Sequence, residues 1–283
     1  MKENFSFKKI KENVKGKVKS IDKRRWIQGI LVAIILVCLI LLGRYYYQLG
    51  IQNHKTKKIK EVAYTTETQT EEKKVEYPKQ TEIDFNALHQ QNPDIYAWLK
   101  IPGTNVDYPV LRSNDDKEED FYLDHNVDLS SGYPGCIYTQ KRNNPDFSDP
   151  NTIFYGHNMR NKSMFATLHR FEDRAFFDGN KTVYLYTPDY KMTYQIFAAY
   201  PTTSELILDK YGDFRDKGVF VNYLQEILSK DGKVGNIDAS AAPNLNENSR
   251  ILTFSTCIND PNRRYVVQAY LVDDGHGNQF IKN

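Results

Sequence analysis

The chain has 283 residues, of which 38 are Lys or Arg and 36 are Asp or Glu, so its formal net charge is only +2. Hydrophobic residues make up 40% and aromatic residues 13%, which excludes a disordered chain and allows a sizeable core. Three cysteines are too few for a disulfide-dense scaffold or a four-thiolate zinc site. The near-neutral total argues against a nucleic-acid binder that relies on overall charge.

The charge is unevenly distributed along the chain. Residues 1–25 contain ten basic and three acidic groups, net +7, and residues 26–43 contain no charged group. Residues 44–80 have net charge +3, and residues 81–283 have net charge −8. This pattern predicts a basic cytoplasmic tail (1–25), a transmembrane anchor (26–43), a polar spacer (44–80) and a folded extracytoplasmic domain (81–283).

The uncharged run is long enough to cross a membrane. Its 18 residues would span roughly 27 Å as a helix, close to a hydrocarbon core of about 30 Å. Basic residues precede the run and three tyrosines follow it, as is typical of the cytoplasmic and outer interfaces. A cleaved signal peptide would need small residues at a cleavage site, which the stretch after Leu42 lacks. A buried core helix is the remaining alternative, and we expect a single-pass anchor.

The spacer, residues 44–80, repeats Lys, Thr and Glu and has few apolar side chains. Such a composition does not bury enough surface to fold by itself. A juxtamembrane helix over part of it remains open.

Helical spacing occurs at three places in the folded part. Asn92 followed by Pro93 is a typical helix start, and the apolar residues that follow through Leu99 predict a short amphipathic helix. Two further helices are predicted over residues 163–171 and 219–228.

Strand-like runs dominate the rest and are separated by clusters of Gly, Pro, Asn and Asp. They predict a mainly β fold with inserted helices, a mixed barrel or sandwich of about 200 residues. The runs are Val106–Leu111, Cys136–Thr139, Thr152–Tyr155, Thr182–Tyr186, Met192–Tyr200, Arg250–Thr256 and Arg264–Val272.

One cysteine is a candidate nucleophile. Cys38 lies in the membrane run, and Cys136 lies in a strand-like run, where a buried and inert thiol is expected. Cys257 instead ends an apolar strand and is followed by a loop. The alternatives are two unreactive buried thiols or a Cys136–Cys257 disulfide.

A nucleophilic cysteine needs a base or an imidazolium partner, because the thiolate is the reactive form. Among the histidines, His157 directly follows the strand-like run that ends at Tyr155, so it lies at a strand end as Cys257 does. His89, His125 and His169 lie in helical or loop contexts, where a solvated or packed ring is the ordinary outcome. We expect His157 to be the partner.

An oxyanion requires a further donor, and two arginines begin the last strand. Alternation places Arg264, not Arg263, on the face opposite the apolar one, and it places Ser255 and Cys257 on the corresponding face of the preceding strand. A six-residue loop joins the two strands, so they should pair antiparallel and bring Cys257 and Arg264 together. A surface salt bridge is the alternative role for the arginine.

Several segments, in this order, resemble sortases. The stretch Thr253–Cys257 reads TFSTC and resembles the T-L-x-T-C motif, with Phe254 in place of Leu. Further segments resemble the surroundings of the sortase histidine and arginine, or parts of class B sortases in particular. These segments are Tyr155–Met159, Arg264–Val267, Trp98–Thr104, Asp107–Leu111 and Ser204–Lys230.

This resemblance, over about residues 82–275, implies an eight-stranded sortase-type β-barrel behind a single transmembrane helix. It implies a cysteine transpeptidase in which Cys257 cleaves a sorting signal after Thr and forms a thioacyl intermediate. His157 would act as acid and base, Arg264 would stabilise the oxyanion, and Ser255 would line the substrate pocket. The implied partners are surface proteins with a sorting signal, a peptidoglycan-precursor amine and the membrane, with no nucleic acid, cofactor or metal.

Two other functions remain open at this point. One is a papain-like cysteine hydrolase, although that family generally places Cys before His, and here His157 precedes Cys257. The other is a non-catalytic, membrane-tethered binding module with a structural Cys257. The sorting motif, NPxTN-like or PxTG-like, and the choice between protein anchoring and pilus assembly are also open.

Overall fold

The computed structural model describes residues 23–64, 81–278 and 280. The chain forms two compact units, Met1–His54 and Lys55–Asn283. Helix α1 (Lys23–Ala63) contains the described part of the first unit and continues into the second. It is long and apolar enough to cross a membrane. Its aliphatic side chains are exposed, up to 63% at Ile40, as expected of a helix that requires an apolar surrounding.

The last turns of α1 belong to the second unit and contact the folded domain. Lys55 forms an ion pair with Asp128 at 2.9 Å, and Lys60 forms one with Asp107 at 3.3 Å. The Tyr64 hydroxyl also donates to Asp107, at 2.7 Å. The compact unit therefore starts inside the segment that the sequence assigns to the spacer. The four-part division of the chain stays a prediction, and residues 1–22 and 65–80 lie outside the described residues.

Eight of the strands close a barrel in the order β5-β1-β2-β3-β4-β8-β9-β6, because β5 pairs with both β1 and β6. The short β7 pairs with β6 outside this ring. The pairs β2–β3 and β4–β8 are parallel, and the others are antiparallel. The eight-stranded barrel is thus confirmed. The strands are β1 Ile95–Lys100, β2 Asp107–Arg112, β3 Ile137–Thr139, β4 Asn151–Tyr155, β5 Thr182–Tyr186, β6 Lys191–Thr203, β7 Asn236–Ile237, β8 Ile251–Cys257 and β9 Arg263–Asp273.

Short helices are inserted between the strands. The helix predicted over 219–228 is present, and its first turn is capped by Asp216, whose carboxylate accepts from the Gly218 and Val219 amides. The segment predicted over 163–171 forms a 3₁₀ helix instead of an α-helix. The α-helices are α2 Phe85–Gln91, α3 Arg174–Gly179, α4 Ile207–Tyr211 and α5 Lys217–Leu228, and the 3₁₀ helices are Phe121–Leu123, Ala166–Glu172 and Ala239–Asn244.

The helix predicted after Asn92 is wrong, because this segment is strand β1. Asn92 ends α2, since its backbone amide donates to the Leu88 carbonyl at 3.0 Å. In β1, Ala97 and Leu99 face the barrel interior, whereas Trp98 packs in a separate outer cluster. A strand buried on both sides has apolar residues at nearly every position, so its spacing also fits a helix.

The two faces of β8 and β9 differ as their alternation predicts. Phe254 and Val267 pack in the barrel interior. On the other face, the Gln268 side-chain amide donates to Thr253 Oγ1 at 2.9 Å and to the Tyr223 hydroxyl of α5 at 2.8 Å. Helix α5 therefore covers this outer face, and within β8 only the last residue, Cys257, is exposed.

Candidate active site

Cys257 is the last residue of β8 and is exposed. In the antiparallel ladder with β9 its partner is Arg264. Residues paired across two strands project from the same face, with Cβ atoms about 4.5–5.5 Å apart. The structure thus brings together the two residues that alternation in the sequence predicted to meet.

His157 follows the neighbouring strand β4 on the other side of β8. The parallel register pairs Tyr155 with Ser255. Beyond the strand, Thr256 Oγ1 donates to the Gly156 carbonyl at 2.8 Å and extends the alignment by one residue. One residue further along both chains, His157 lies level with Cys257. The strand ends of β4, β8 and β9 therefore present His157, Cys257 and Arg264 side by side.

Gly156, the residue before His157, allows the backbone to pass close to the side chains of Ile137 and Phe165. A Cβ at Gly156 would lie 2.4 Å from Ile137 Cδ1 and 2.9 Å from Phe165 Cδ2. Contacts this short do not occur between real side chains, so any larger residue would displace the turn that carries His157.

The His157 ring is held and partly shielded. Its Nε2 lies 2.8 Å from the Leu123 carbonyl, and the Tyr133 ring packs edge-on at a centroid distance of 4.9 Å. Because a carbonyl only accepts, Nε2 carries the hydrogen of the neutral ring and Nδ1 is the basic nitrogen. Burial lowers the pKa of His157 below its ordinary value, and the hydrogen bond to Leu123 opposes this shift. At neutral pH the ring is therefore ready to accept a proton.

Two polar side chains contact the main-chain carbonyl of Cys257. Asn158 Nδ2 donates to it at 2.9 Å, and His169 Nε2 lies 3.1 Å away. The other ring nitrogen of His169, Nδ1, is 2.6 Å from Glu172 Oε1. The sequence offered one hint of these residues, the position of Asn158 next to His157. Nothing in the sequence indicated the contact of His169 with Cys257.

Arg264 donates from Nη1 to the carbonyls of Pro261 and Arg263, at 3.1 and 2.9 Å. Within residues 23–64 and 81–278, no carboxylate forms a salt bridge with Arg264. Arg263 is exposed, whereas Arg264 is partly buried. The geometry therefore disfavours the surface salt bridge and leaves Arg264 as the ladder partner of Cys257, with its guanidinium bonded to these two carbonyls.

The remaining predicted positions differ in exposure. Ser255 is 8% exposed and lies two residues before Cys257 on the same face of β8. Cys136 is buried, its thiol donates to the His125 carbonyl at 3.3 Å, and burial strongly raises its pKa. Both cysteines are free, so the structure contains no Cys136–Cys257 disulfide. In the described part of the chain, no group of three or more His, Cys, Asp and Glu side chains is arranged to hold a metal ion.

Comparison with known proteins agrees with this geometry. Residues 99–272 match the sortase domain family model. The chain is 33% identical over 192 residues to sortase B of Listeria monocytogenes, an alignment that covers 67% of this chain and 74% of the relative. The X-ray structure of Clostridium perfringens sortase B matches with a TM-score of 0.58 and 36% identity, covering 67% of this chain and 100% of that chain.

A Staphylococcus aureus sortase B–substrate complex matches with a TM-score of 0.57 and 30% identity, over 67% of this chain and 84% of that chain. The closed eight-stranded barrel and the sequence matches agree over the same region. The chain therefore belongs to the sortase family, in its class B branch, and is a cysteine transpeptidase.

Proposed function

We propose that this sortase cleaves the C-terminal sorting signal of surface proteins after a threonine and transfers the acyl group to an amine of the peptidoglycan precursor. The observation that carries the proposal is the alignment of His157, Cys257 and Arg264 at three neighbouring strand ends. Such an arrangement supplies a base, a nucleophile and an oxyanion donor within one site.

In the first half of the reaction, the Cys257 thiol proton passes to Nδ1 of His157. The sulfur attacks the threonine carbonyl carbon, and the Arg264 guanidinium stabilises the oxyanion that forms. The amide C–N bond breaks, and the departing amine takes the proton back from His157. The product is a thioester between Cys257 and the threonine of the surface protein.

In the second half, an incoming amine attacks the thioester carbonyl and gives a proton to His157. The C–S bond breaks, a new amide forms, and the Cys257 sulfur regains the proton. Since one amide replaces another, the exchange needs no external energy source. The lowered pKa of His157 suits both halves, because a neutral ring accepts the proton in each.

Ser255 is proposed to line the pocket for the sorting signal. It lies beside Tyr155 in the β4–β8 ladder and beside Val266 in the β8–β9 ladder. Its nearly buried hydroxyl on the Cys257 face is suited to orient the peptide that enters next to the thiol.

The test is to incubate the enzyme with sorting-signal peptides, with and without an amine nucleophile. We expect cleavage after threonine, a thioacyl adduct on Cys257 and an amide product that increases with amine concentration. A panel of NPxTN-like and PxTG-like peptides identifies the preferred signal. Hydrolysis alone, unaffected by any cell-wall amine, would overturn the transferase assignment.

We further propose that α1 anchors the protein as a single span with the N-terminus in the cytoplasm. The support is the uncharged run from Trp26 to Gly43 and the net charge of +7 before it. A protease added outside intact cells should remove the folded domain and leave the N-terminal tail protected. Protection of the folded domain would contradict this orientation.

A further inference from the structure

The carbonyl of Cys257 lies where β8 ends and the strand ladder offers no further donor. Two side chains contact this carbonyl instead: Asn158 Nδ2 donates to it at 2.9 Å, and His169 Nε2 lies 3.1 Å from it. These contacts hold the peptide plane between Cys257 and Ile258. Asn158 and His169 thus contact the main chain of Cys257, whereas His157 is brought level with Cys257 by the register of β4 and β8.

His169 is itself fixed by two further contacts. Its Nδ1 lies 2.6 Å from Glu172 Oε1, and its ring stacks on Tyr265 with a centroid distance of 4.9 Å and an interplanar angle of 25°. Tyr265 is 2% exposed and pairs with Thr256 in the β8–β9 ladder. The ring is therefore oriented by the same two strands that carry Cys257 and Arg264.

The two ring nitrogens of His169 both face acceptors, a carboxylate oxygen and a carbonyl oxygen. Only the imidazolium form donates to both at once. In the neutral form Nδ1 keeps its hydrogen for Glu172, and Nε2 accepts instead from Asn158 Nδ2, which is 3.1 Å away. Protonated His169 thus adds a second, charged donor to the Cys257 carbonyl.

The other charged and titratable groups around His169 come from three elements. Glu172 lies on the same 3₁₀ helix, and Tyr265 lies on β9. Arg160 and Lys162 line the same open cleft from the loop after β4. The cleft keeps one side of the ring accessible, and the His169 side chain is 23% exposed.

We propose that His169 is a positioning residue for transpeptidation, which rests on the proposed role of Cys257 as the nucleophile. By holding the Cys257 carbonyl, His169 fixes the orientation from which the sulfur attacks.

The test measures alkylation of Cys257 by iodoacetamide in the full-length protein in detergent, with the labelled cysteine mapped by mass spectrometry. His169→Phe keeps a ring against Tyr265 but has no donor. His169→Gln places an amide N–H where Nε2 lies but has no charge. We expect Cys257 in His169→Phe to be alkylated about tenfold more slowly than in the wild-type protein. In His169→Gln the rate of alkylation should be within about threefold of the wild-type rate.

His276→Phe is the matched control, because His276 also packs on a tyrosine ring, Tyr190 at 4.4 Å, and is a histidine outside the Cys257 contacts. In this variant Cys257 should be alkylated at the wild-type rate. Glu172→Gln keeps an acceptor for Nδ1 but removes the carboxylate charge, and we expect it to slow alkylation about two- to threefold. Glu172 is exposed, so this variant tests the proposal even where His169→Phe fails to fold.

Equal rates of Cys257 alkylation in His169→Phe and in the wild-type protein would overturn the proposal. A rate in His169→Gln as low as that in His169→Phe would also overturn it. A wild-type rate of Cys257 alkylation in Glu172→Gln would also count against the proposal. If instead the proposed function is wrong and Cys257 is not the nucleophile, iodoacetamide will not label Cys257 selectively in the wild-type protein. The two failures are therefore distinguishable in one experiment.

Discussion

The barrel contains two cysteines whose surroundings differ in the properties that govern thiol chemistry. Cys136, just before β3, is 3% exposed, and its thiol donates to a backbone carbonyl. Cys257, at the end of β8, is exposed and has Arg264 beside it in the ladder and His157 beyond the end of β4. Cys136 begins a strand-like run in the sequence and Cys257 ends one, yet the first thiol is enclosed and the second is exposed.

The difference shows that strand position alone does not make a thiol reactive. Burial strongly raises the pKa of Cys136, so this thiol stays protonated. Around Cys257 the parallel register with β4 and the antiparallel register with β9 place His157 and Arg264 at the neighbouring strand ends. The registers of the neighbouring strands therefore decide which side chains each cysteine has beside it.

The largest expected effect separates the two cysteines directly. Cys257→Ala should lower transpeptidation by more than about 10⁴-fold, because it removes the nucleophile. Cys136→Ala should retain activity within a few fold. The measurement is turnover of a sorting-signal peptide together with detection of the thioacyl adduct. Loss of activity in Cys136→Ala with a normal Cys257→Ala variant would reverse the assignment.

The second effect concerns the arginine beside Cys257. Arg264→Ala should lower kcat by about 10²- to 10³-fold, as expected for the loss of an oxyanion donor. Arg263→Ala is the control, since that side chain is exposed and its removal should change kcat little. The opposite result would show that the faces of β9 are exchanged near its start.

The third effect concerns the link between the Cys257 and His157 strands. Thr256→Val removes the hydrogen bond to the Gly156 carbonyl, which should lower the free energy of unfolding by about 1 kcal/mol. Because this bond aligns the turn that carries His157, kcat should fall about tenfold while KM changes little. Thermal unfolding and steady-state kinetics check this. A loss of stability with unchanged kcat would show that the link does not align His157.

The smallest effect is a shift in the pH dependence. Burial lowers the pKa of His157, and the Tyr133 ring covers part of it. Tyr133→Ala exposes the imidazole, so the pKa of His157 should rise toward its ordinary value. The acid limb of kcat/KM should therefore move to higher pH, by less than about one unit. An unmoved limb, or one that moves to lower pH, would contradict this role of Tyr133.

Much of the barrel and part of the site were predictable from the sequence, for local reasons. Strands β8 and β9 are joined by a short loop, so alternation alone placed Cys257 and Arg264 on one face. The sequence of β1 wrongly predicts a helix, because burial on both sides of the strand removes the polar positions that reveal a period of two.

His169 could not be found in the same way, since it lies 88 residues from Cys257 in the chain. The contact depends on the fold of the segment after β4, which no spacing in the sequence encodes. The closure of the barrel could not be predicted from local spacing either, because it requires β5 to pair both with β1, which is distant in the chain, and with β6, which follows it. The family resemblance, and not the local pattern, supplied that part of the prediction.

The parallel pairing of β4 with β8 has a consequence for the newly made protein. Gly156 and Thr256, which fasten the two strands, are 100 residues apart in the chain. Contacts between such distant residues carry a high cost in chain entropy and form late in folding. A nascent or incompletely folded chain therefore displays a thiol without its histidine. Pairing of β4 with β8 is therefore the folding step that brings His157 level with Cys257.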